Sequence, residues 1–305
     1  MNKKVLSIFL IFIMLFILTS CGKKAEVKQP ENDTDPKENV EVPAPDEEPA
    51  DTPEEKDDTS PAPADDTQSA PAFTSELVEY KNSVKSDNGD EIYNCYIAYP
   101  KVTVAGNDYV SSSINSYLEA TTNEIIEEEK TFTEDAQDAY DYSLENEDYA
   151  FSPYTFEQSP AEELLKGNVY SVFFTCFADF GGAHPSSYSE GVNFDITTGE
   201  KLALRELATD GPAFTYYLRD TIINEIKTDS LRDSELTTED FFQDYEDTLV
   251  QAFETEPNWY IEDRGICIIF NTYELAPYAY GPIFVVFPWD EIKDYIDPEK
   301  IPGLI

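Results

Sequence analysis

Histidine is almost missing from this chain. Of 305 residues only His184 carries an imidazole, which excludes an HExxH metal helix and a histidine-rich zinc cage. Cysteine is nearly as sparse: four residues, none in a CxxC spacing, so the thiolate route to zinc is closed too. Basic side chains are also few, 20 Lys and Arg against 63 Asp and Glu, for a net charge of −43. Phosphate binding needs a basic surface, so nucleic acid is excluded as a natural partner, and direct adhesion to anionic lipid headgroups is disfavoured. The many carboxylates do not compose a calcium loop either, because no Asp/Glu string has EF-hand spacing. No GxSxG elbow marks a nucleophile. These absences predict a protein with no catalytic residues, no metal and no cofactor.

Long apolar runs are missing too, with one exception at the start. Lys3 and Lys4 precede an unbroken run from Val5 to Leu18, too short for a comfortable bilayer span. It ends in Leu18-Thr19-Ser20-Cys21-Gly22, which resembles the bacterial lipobox. That resemblance makes residues 1–20 a lipoprotein signal peptide and Cys21 the lipidated first residue of the mature chain. The protein would then sit on the outer face of the cytoplasmic membrane, held by its lipid anchor and exposed to the cell wall. An ordinary secretory peptide cut near Ser20, or an uncleaved anchor, is the alternative. Residues 21–72 hold five lysines, sixteen acids and almost no large apolar side chain. Such a segment buries too little surface to offset its conformational entropy, which predicts a disordered, acidic, Pro-rich tether.

Residues 73–305 carry 47 acidic and 13 basic side chains, net −34, and are long enough for a substantial core. Leu77 to Lys85 and Glu91 to Val104 read as a hairpin, with Asn88-Gly89 suited to a type I′ turn and Tyr93, Cys95, Ile97 and Tyr99 facing one way. Val110, Ile114, Tyr117, Leu118, Thr121 and Ile125 recur at helical spacing after Asn107 or Asp108 as the cap; Thr133 to Asp148 either extends that helix or begins another. Strand signals return at Tyr149 to Gln158. From Tyr170 every second residue is apolar, predicting a strand with one fully buried face, and a second strand runs from Tyr188 to Ile196. Pro212 opens a helix with Phe214, Tyr217, Leu218 and Ile222 inward, and Thr237 with Asp240 forms a capping box ahead of Phe242, Tyr245 and Leu249. Gly265 to Asn271 and Ile283 to Phe287 read as buried strands, and Glu291 to Ile296 as a closing helix. Without regular strand and helix alternation, the fold class is α+β with a mainly antiparallel sheet, residues 73–165 forming its N-terminal part and 166–305 its C-terminal part.

Between the two strands lies Gly181-Gly182-Ala183-His184-Pro185, where glycine permits angles closed to other residues and proline fixes the exit. His184 could act as a general base beside Asp179, Ser186 or Ser187, which would make the chain a hydrolase, but no orienting partner is identifiable. Cys95, Cys176 and Cys267 fall within strands and read as buried thiols, with a Cys176 to Cys267 disulfide open.

A second informative stretch is Asn271-Thr272-Tyr273-Glu274-Leu275-Ala276-Pro277-Tyr278-Ala279-Tyr280-Gly281, ahead of Pro288-Trp289-Asp290-Glu291. With Gly181 to Pro185 and Asp195-Ile196-Thr197-Thr198-Gly199, it resembles the extracellular domain of RsiV-like, lysozyme-sensing anti-sigma factors of Gram-positive bacteria, also found as the non-catalytic part of PdaC-like peptidoglycan deacetylases. The resemblance covers nearly all of residues 73–296. Those anti-sigma factors carry a cytoplasmic segment and a membrane span where this chain has a lipobox and tether, and the deacetylases carry a separate catalytic domain. The resemblance therefore implies a surface lipoprotein that binds a lysozyme-like or other cationic wall-active protein. A cell-wall glycan stacking on Tyr278, Tyr280 or Trp289 is the competing partner. Gly181, Gly182, His184, Tyr188, Tyr278 and Tyr280 are the candidate binding residues.

Overall fold

The computed structural model describes residues 72–305; the expected signal peptide, Cys21 and the tether up to residue 71 lie outside the described residues. Phe73–Lys85 (β1) and Glu91–Val104 (β2) pair as the expected hairpin. Its turn is not type I′. Gly89 has φ +89° while Asn88 keeps an ordinary φ, and Gly89 N–H donates to Ser86 O at 2.9 Å. The loop from Ser86 to Asp90 has room to close as an ordinary turn followed by one left-handed glycine, so a second positive φ is unnecessary.

A single helix, α1, then runs from Asp108 to Glu145, with the Asn107 side chain accepting from Val110 N–H at 3.2 Å. Such a cap contributes about 1 kcal/mol. The acidic stretch after Thr133 therefore extends the helix. Its inward face is continuous: Val110, Ile114 and Leu118 first, then Glu129, Phe132, Ala136 and Tyr140. Glu129 is only 2% exposed. It accepts from the Tyr80 hydroxyl at 3.1 Å, the Asn82 amide at 2.6 Å and the Thr133 hydroxyl at 3.2 Å, which replaces the hydration that burial removes.

The chain returns as Tyr154–Lys166 (β3), which pairs parallel to β2 over Tyr93–Ile97 and antiparallel to Val169–Asp179 (β4). β3 is displaced from the expected Tyr149 to Gln158: it starts only at Tyr154 and continues past Gln158 to Lys166 through a register shift between Pro160 and Glu162. The long crossover helix makes the one parallel pair possible. Ser186–Asp195 (β5) completes a sheet of order β1-β2-β3-β4-β5.

The second half contributes α2 (Gly211–Lys227), capped by Asp210 and opened by Pro212, and α3 (Tyr245–Thr255). The Thr237 and Asp240 capping pair forms, but it closes one 3-10 turn. Helix formation is interrupted there because Phe241 is extended and buried and Phe242 N–H donates to Leu275 O at 2.9 Å. Asn258–Glu262 (β6), Gly265–Phe270 (β7) and Ile283–Pro288 (β8) form an antiparallel second sheet. The closing helix is a single turn, α4 (Trp289–Ile292); Ile296 instead bridges to Ala208.

This second sheet corrects the expectation that β4 buries one face only. Val172 and Phe174 pack with Val110, Ile114 and Phe194, while Phe173 on the opposite face packs with Tyr260, Cys267, Ile269 and Val286. Both faces are buried along the first half of the strand. On its far side the second sheet meets α2 and α3 through Ile266, Val285 and Phe287 against Leu218, Ile222 and Leu249. Cys95, Cys176 and Cys267 are free and buried, and burial pushes each thiol up to about 12. The fold is α+β and mainly antiparallel, as the element order predicts.

Candidate binding site

The two sheets meet along the outer edge of β5, and asparagines make the junction. Asn271 Oδ1 accepts from Ser189 N–H at 2.7 Å while its amide donates to Ser189 O at 3.1 Å, imitating a neighbouring strand. Asn258 does the same one step along, accepting from Gly191 N–H at 2.9 Å and donating to Ser189 O at 2.7 Å. Asn193 donates to Trp259 O at 3.0 Å, and its Oδ1 accepts from Ser171, whose hydroxyl in turn accepts from Ile261 N–H. A Cβ on Gly191 would lie 2.0 Å from Trp259 O, so only glycine permits this approach.

Asn271 thereby anchors the second motif segment beside the loop after β4. The turn from Asn271 to Glu274 closes by Glu274 N–H to Asn271 O at 2.9 Å and Asn271 N–H to the Glu274 carboxylate at 2.8 Å, with Tyr273 at φ +72°. Burial pushes the Glu274 carboxyl up to about 7, against the lowering effect of that Asn271 N–H. On the facing loop Gly181 takes φ +69° and donates its N–H to Asp179. Gly182 has no positive φ, so of the two glycines only Gly181 uses the freedom the sequence suggests.

The loops touch through rings. His184 stacks on Tyr278 with centroids 3.7 Å apart and planes at 23°, and the Tyr278 hydroxyl donates to Pro185 O at 2.9 Å. His184 Nδ1 lies 3.0 Å from Pro185 O and Nε2 lies 3.3 Å from the Tyr273 hydroxyl. With the proton on Nδ1 both contacts are satisfied at once. The structure thus joins Gly181, Gly182, His184 and Tyr278, residues about ninety positions apart in sequence.

Tyr280, Trp289 and Tyr188 fall elsewhere. Tyr280 is 43% exposed and donates to Asp240 at 2.5 Å, and Trp289 donates to Asp263 O while Lys166 covers its ring at 4.7 Å. Tyr188 stands on the α1-facing side of β5, paired with Cys176; burial, then Glu190 and Glu274, push its hydroxyl upward. Beside it lies a charged group that the sequence pattern does not reveal. Lys201 donates to the Tyr117 hydroxyl at 2.8 Å, and Glu190 is raised by burial with Lys201 lowering it. The turn at Gly199, φ +77°, folds Lys201 back beside Phe194 and so brings these together. Among the described residues no group of three His, Cys, Asp or Glu is placed to hold a metal ion, and no helix is long and apolar enough to cross a membrane.

Fold and site together define an acidic α+β module of two sheets with one aromatic face built from two docked loops. Residues 86–187 match the family described as Deacetylase PdaC, and residues 206–290 match the family described as Protein of unknown function (DUF3298). The first match runs from the hairpin turn to the start of β5, and the second covers the helices and second sheet. A solved structure of a DUF3298 family member from Bacteroides fragilis aligns with 76% of this chain and 97% of its own at 18% identity and a TM-score of 0.58. A DUF3298 family protein from Pseudomonas aeruginosa aligns with 77% and 99% at 13% identity and a TM-score of 0.51. These likenesses show a common fold. No curated protein matches the chain.

Proposed function

We propose that the chain is a non-catalytic binding module, anchored through Cys21 at the outer face of the membrane, for a lysozyme-like or other cationic wall-active protein. The observation that carries this reading is the stacking of His184 on Tyr278, with the Tyr278 hydroxyl on Pro185 O, which makes one surface from the two motif loops. Loops fixed on a rigid scaffold are the usual carriers of recognition. The RsiV-like motifs supply the partner class, and the net charge of −34 on residues 73–305 favours encounter with a cation. Both His184 ring nitrogens face structural partners, Pro185 O and the Tyr273 hydroxyl, an arrangement that supports holding the loop over proton transfer. A second reading, wall-glycan binding, draws on the exposed face of Tyr280.

The two readings separate in a pull-down of the full chain with lysozyme and with purified peptidoglycan. Lysozyme should be retained, and Tyr278→Ala should weaken it by about tenfold, the cost of losing one well-packed aromatic contact. Retention on peptidoglycan with no capture of lysozyme would reverse the assignment.

A further inference from the structure

Among the described residues β1 and β8 are the sheet edges left bare, and of the two β8 lacks charge. Past its pairing with β3, the open edge of β2 is bonded by α1 side chains: Val102 N–H to Asn115 at 2.8 Å and Val104 N–H to Ser111 at 2.9 Å. The edge of β5 is taken by Asn258, Asn271 and the backbone of Glu200 and Leu202. The edge of β1 is bare, but its strand carries Glu76, Glu79, Lys81 and Lys85, charges of the kind that discourage strand addition. β8, last in its sheet, carries none from Ile283 to Pro288. Among the described residues a side chain meets its outer backbone where Arg232 Nη1 donates to Val286 O at 3.4 Å. Strand alternation then turns the N–H and C=O of Phe284 and the N–H of Val286 the same way.

A groove runs along that edge. Two clefts of 320 and 370 Å³ share Asp233, Arg264 and Val286, and Leu236 and Phe284 give the larger one apolar walls. The opposite wall is built by Leu231, which is buried, and Arg232, whose guanidinium lies 4.3 Å over Phe287 of β8 and is forked between Glu225 and Glu291. Four carboxylates face two cations in the lining: Glu225 and Glu291 hold Arg232, Asp233 pairs with Arg264, and the exposed Glu235 adds a further negative charge, which leaves the groove net acidic.

We propose that the β8 edge accepts an extended segment of a partner protein as a fourth strand of the second sheet, with apolar side chains alternating with Lys or Arg. Main-chain hydrogen bonds to Phe284 and Val286 supply the pairing, and the carboxylates select the basic positions. A second copy of this chain would bring its own net charge of −34 to the same groove, so self-pairing is opposed. Neither His184 nor Tyr278 lines the groove, although Tyr280 borders its larger cleft, and the proposal does not depend on that reading.

The test uses the full chain in detergent micelles and ten-residue peptides in which valine alternates with lysine, glutamate or serine, read by hydrogen exchange and titration. The valine–lysine peptide should slow exchange at Phe284 and Val286 and bind about tenfold more tightly than the valine–glutamate peptide. Phe284→Pro removes an outward N–H without touching the β7 ladder and should weaken binding about tenfold. Glu235→Lys, at an exposed position that leaves the core intact, should weaken it as well, and His184→Ala should not. Absence of protection over 283–287, undiminished binding by both groove variants, or protection that arises from raised protein concentration without peptide would overturn the proposal.

Discussion

Glu274 shows how much one side chain of the site depends on its surroundings. In sequence it is one acid among many, yet it closes its own turn by accepting from Asn271 N–H, and burial pushes its carboxyl up to about 7 from an ordinary 4.5. The folded protein therefore holds that proton more tightly than the unfolded chain does. The resulting stabilisation is complete below pH 4.5 and is lost as the pH rises through about 7. Glu274→Gln keeps an acceptor for Asn271 N–H and removes the charge. It should melt close to the wild type at pH 5 and higher at pH 8, by about 1–3 kcal/mol, because each tenfold change in proton affinity on folding is worth ~1.4 kcal/mol. Thermal melts at the two values check this, and a difference that did not grow with pH would contradict it. The loops that carry His184 and Tyr278 were legible because glycine, proline and clustered aromatics mark special loops, whereas the burial of Glu274 was not, since Tyr188 near it comes from a different strand.

At the scale of elements, the legible parts were those whose burial follows one period. β4, β5, β7 and β8 have apolar runs or alternation, and α2 has its proline start and helical stripe. The stretch from Thr133 was ambiguous because it is acidic and weakly apolar; in the fold Ala136 and Tyr140 carry on the inward face on which Glu129 accepts from Tyr80 and Asn82 of a strand some fifty residues earlier. β6 was missed because it is five residues long and its partner at one edge is a row of side chains, not a ladder. That row is the element-level feature most open to test. Asn271→Ala leaves the buried Ser189 N–H without its acceptor and frees the motif segment from β5. An unsatisfied buried donor costs about 1–3 kcal/mol, so the variant should lose that much stability in urea melts and show faster exchange at Ser189. Unchanged exchange there would mean that the seam does not hold the loops together.

For the whole molecule the governing quantity is charge, because 47 acids and 13 bases in residues 73–305 set the long-range field that any partner meets. Charge alone gives loose and unselective association: exposed pairs contribute roughly 0–1 kcal/mol each and are screened over ~8 Å at physiological ionic strength. Selectivity must come from shape, and the docked loops around His184 and Tyr278 are the shaped surface that the proposed function uses. The two contributions respond differently to salt. Binding to a strongly basic lysozyme should weaken between about 0.15 M and 0.5 M salt, as the screening length shortens, yet remain saturable and one-to-one. Cytochrome c, equally cationic but of a different shape, should show at most diffuse binding at the lower salt and none at the higher. Calorimetry with both proteins at both salt concentrations measures this directly. Equal binding to the two, abolished together by salt, would leave only the field and no recognition, and the wall-glycan reading would then account better for the aromatic face.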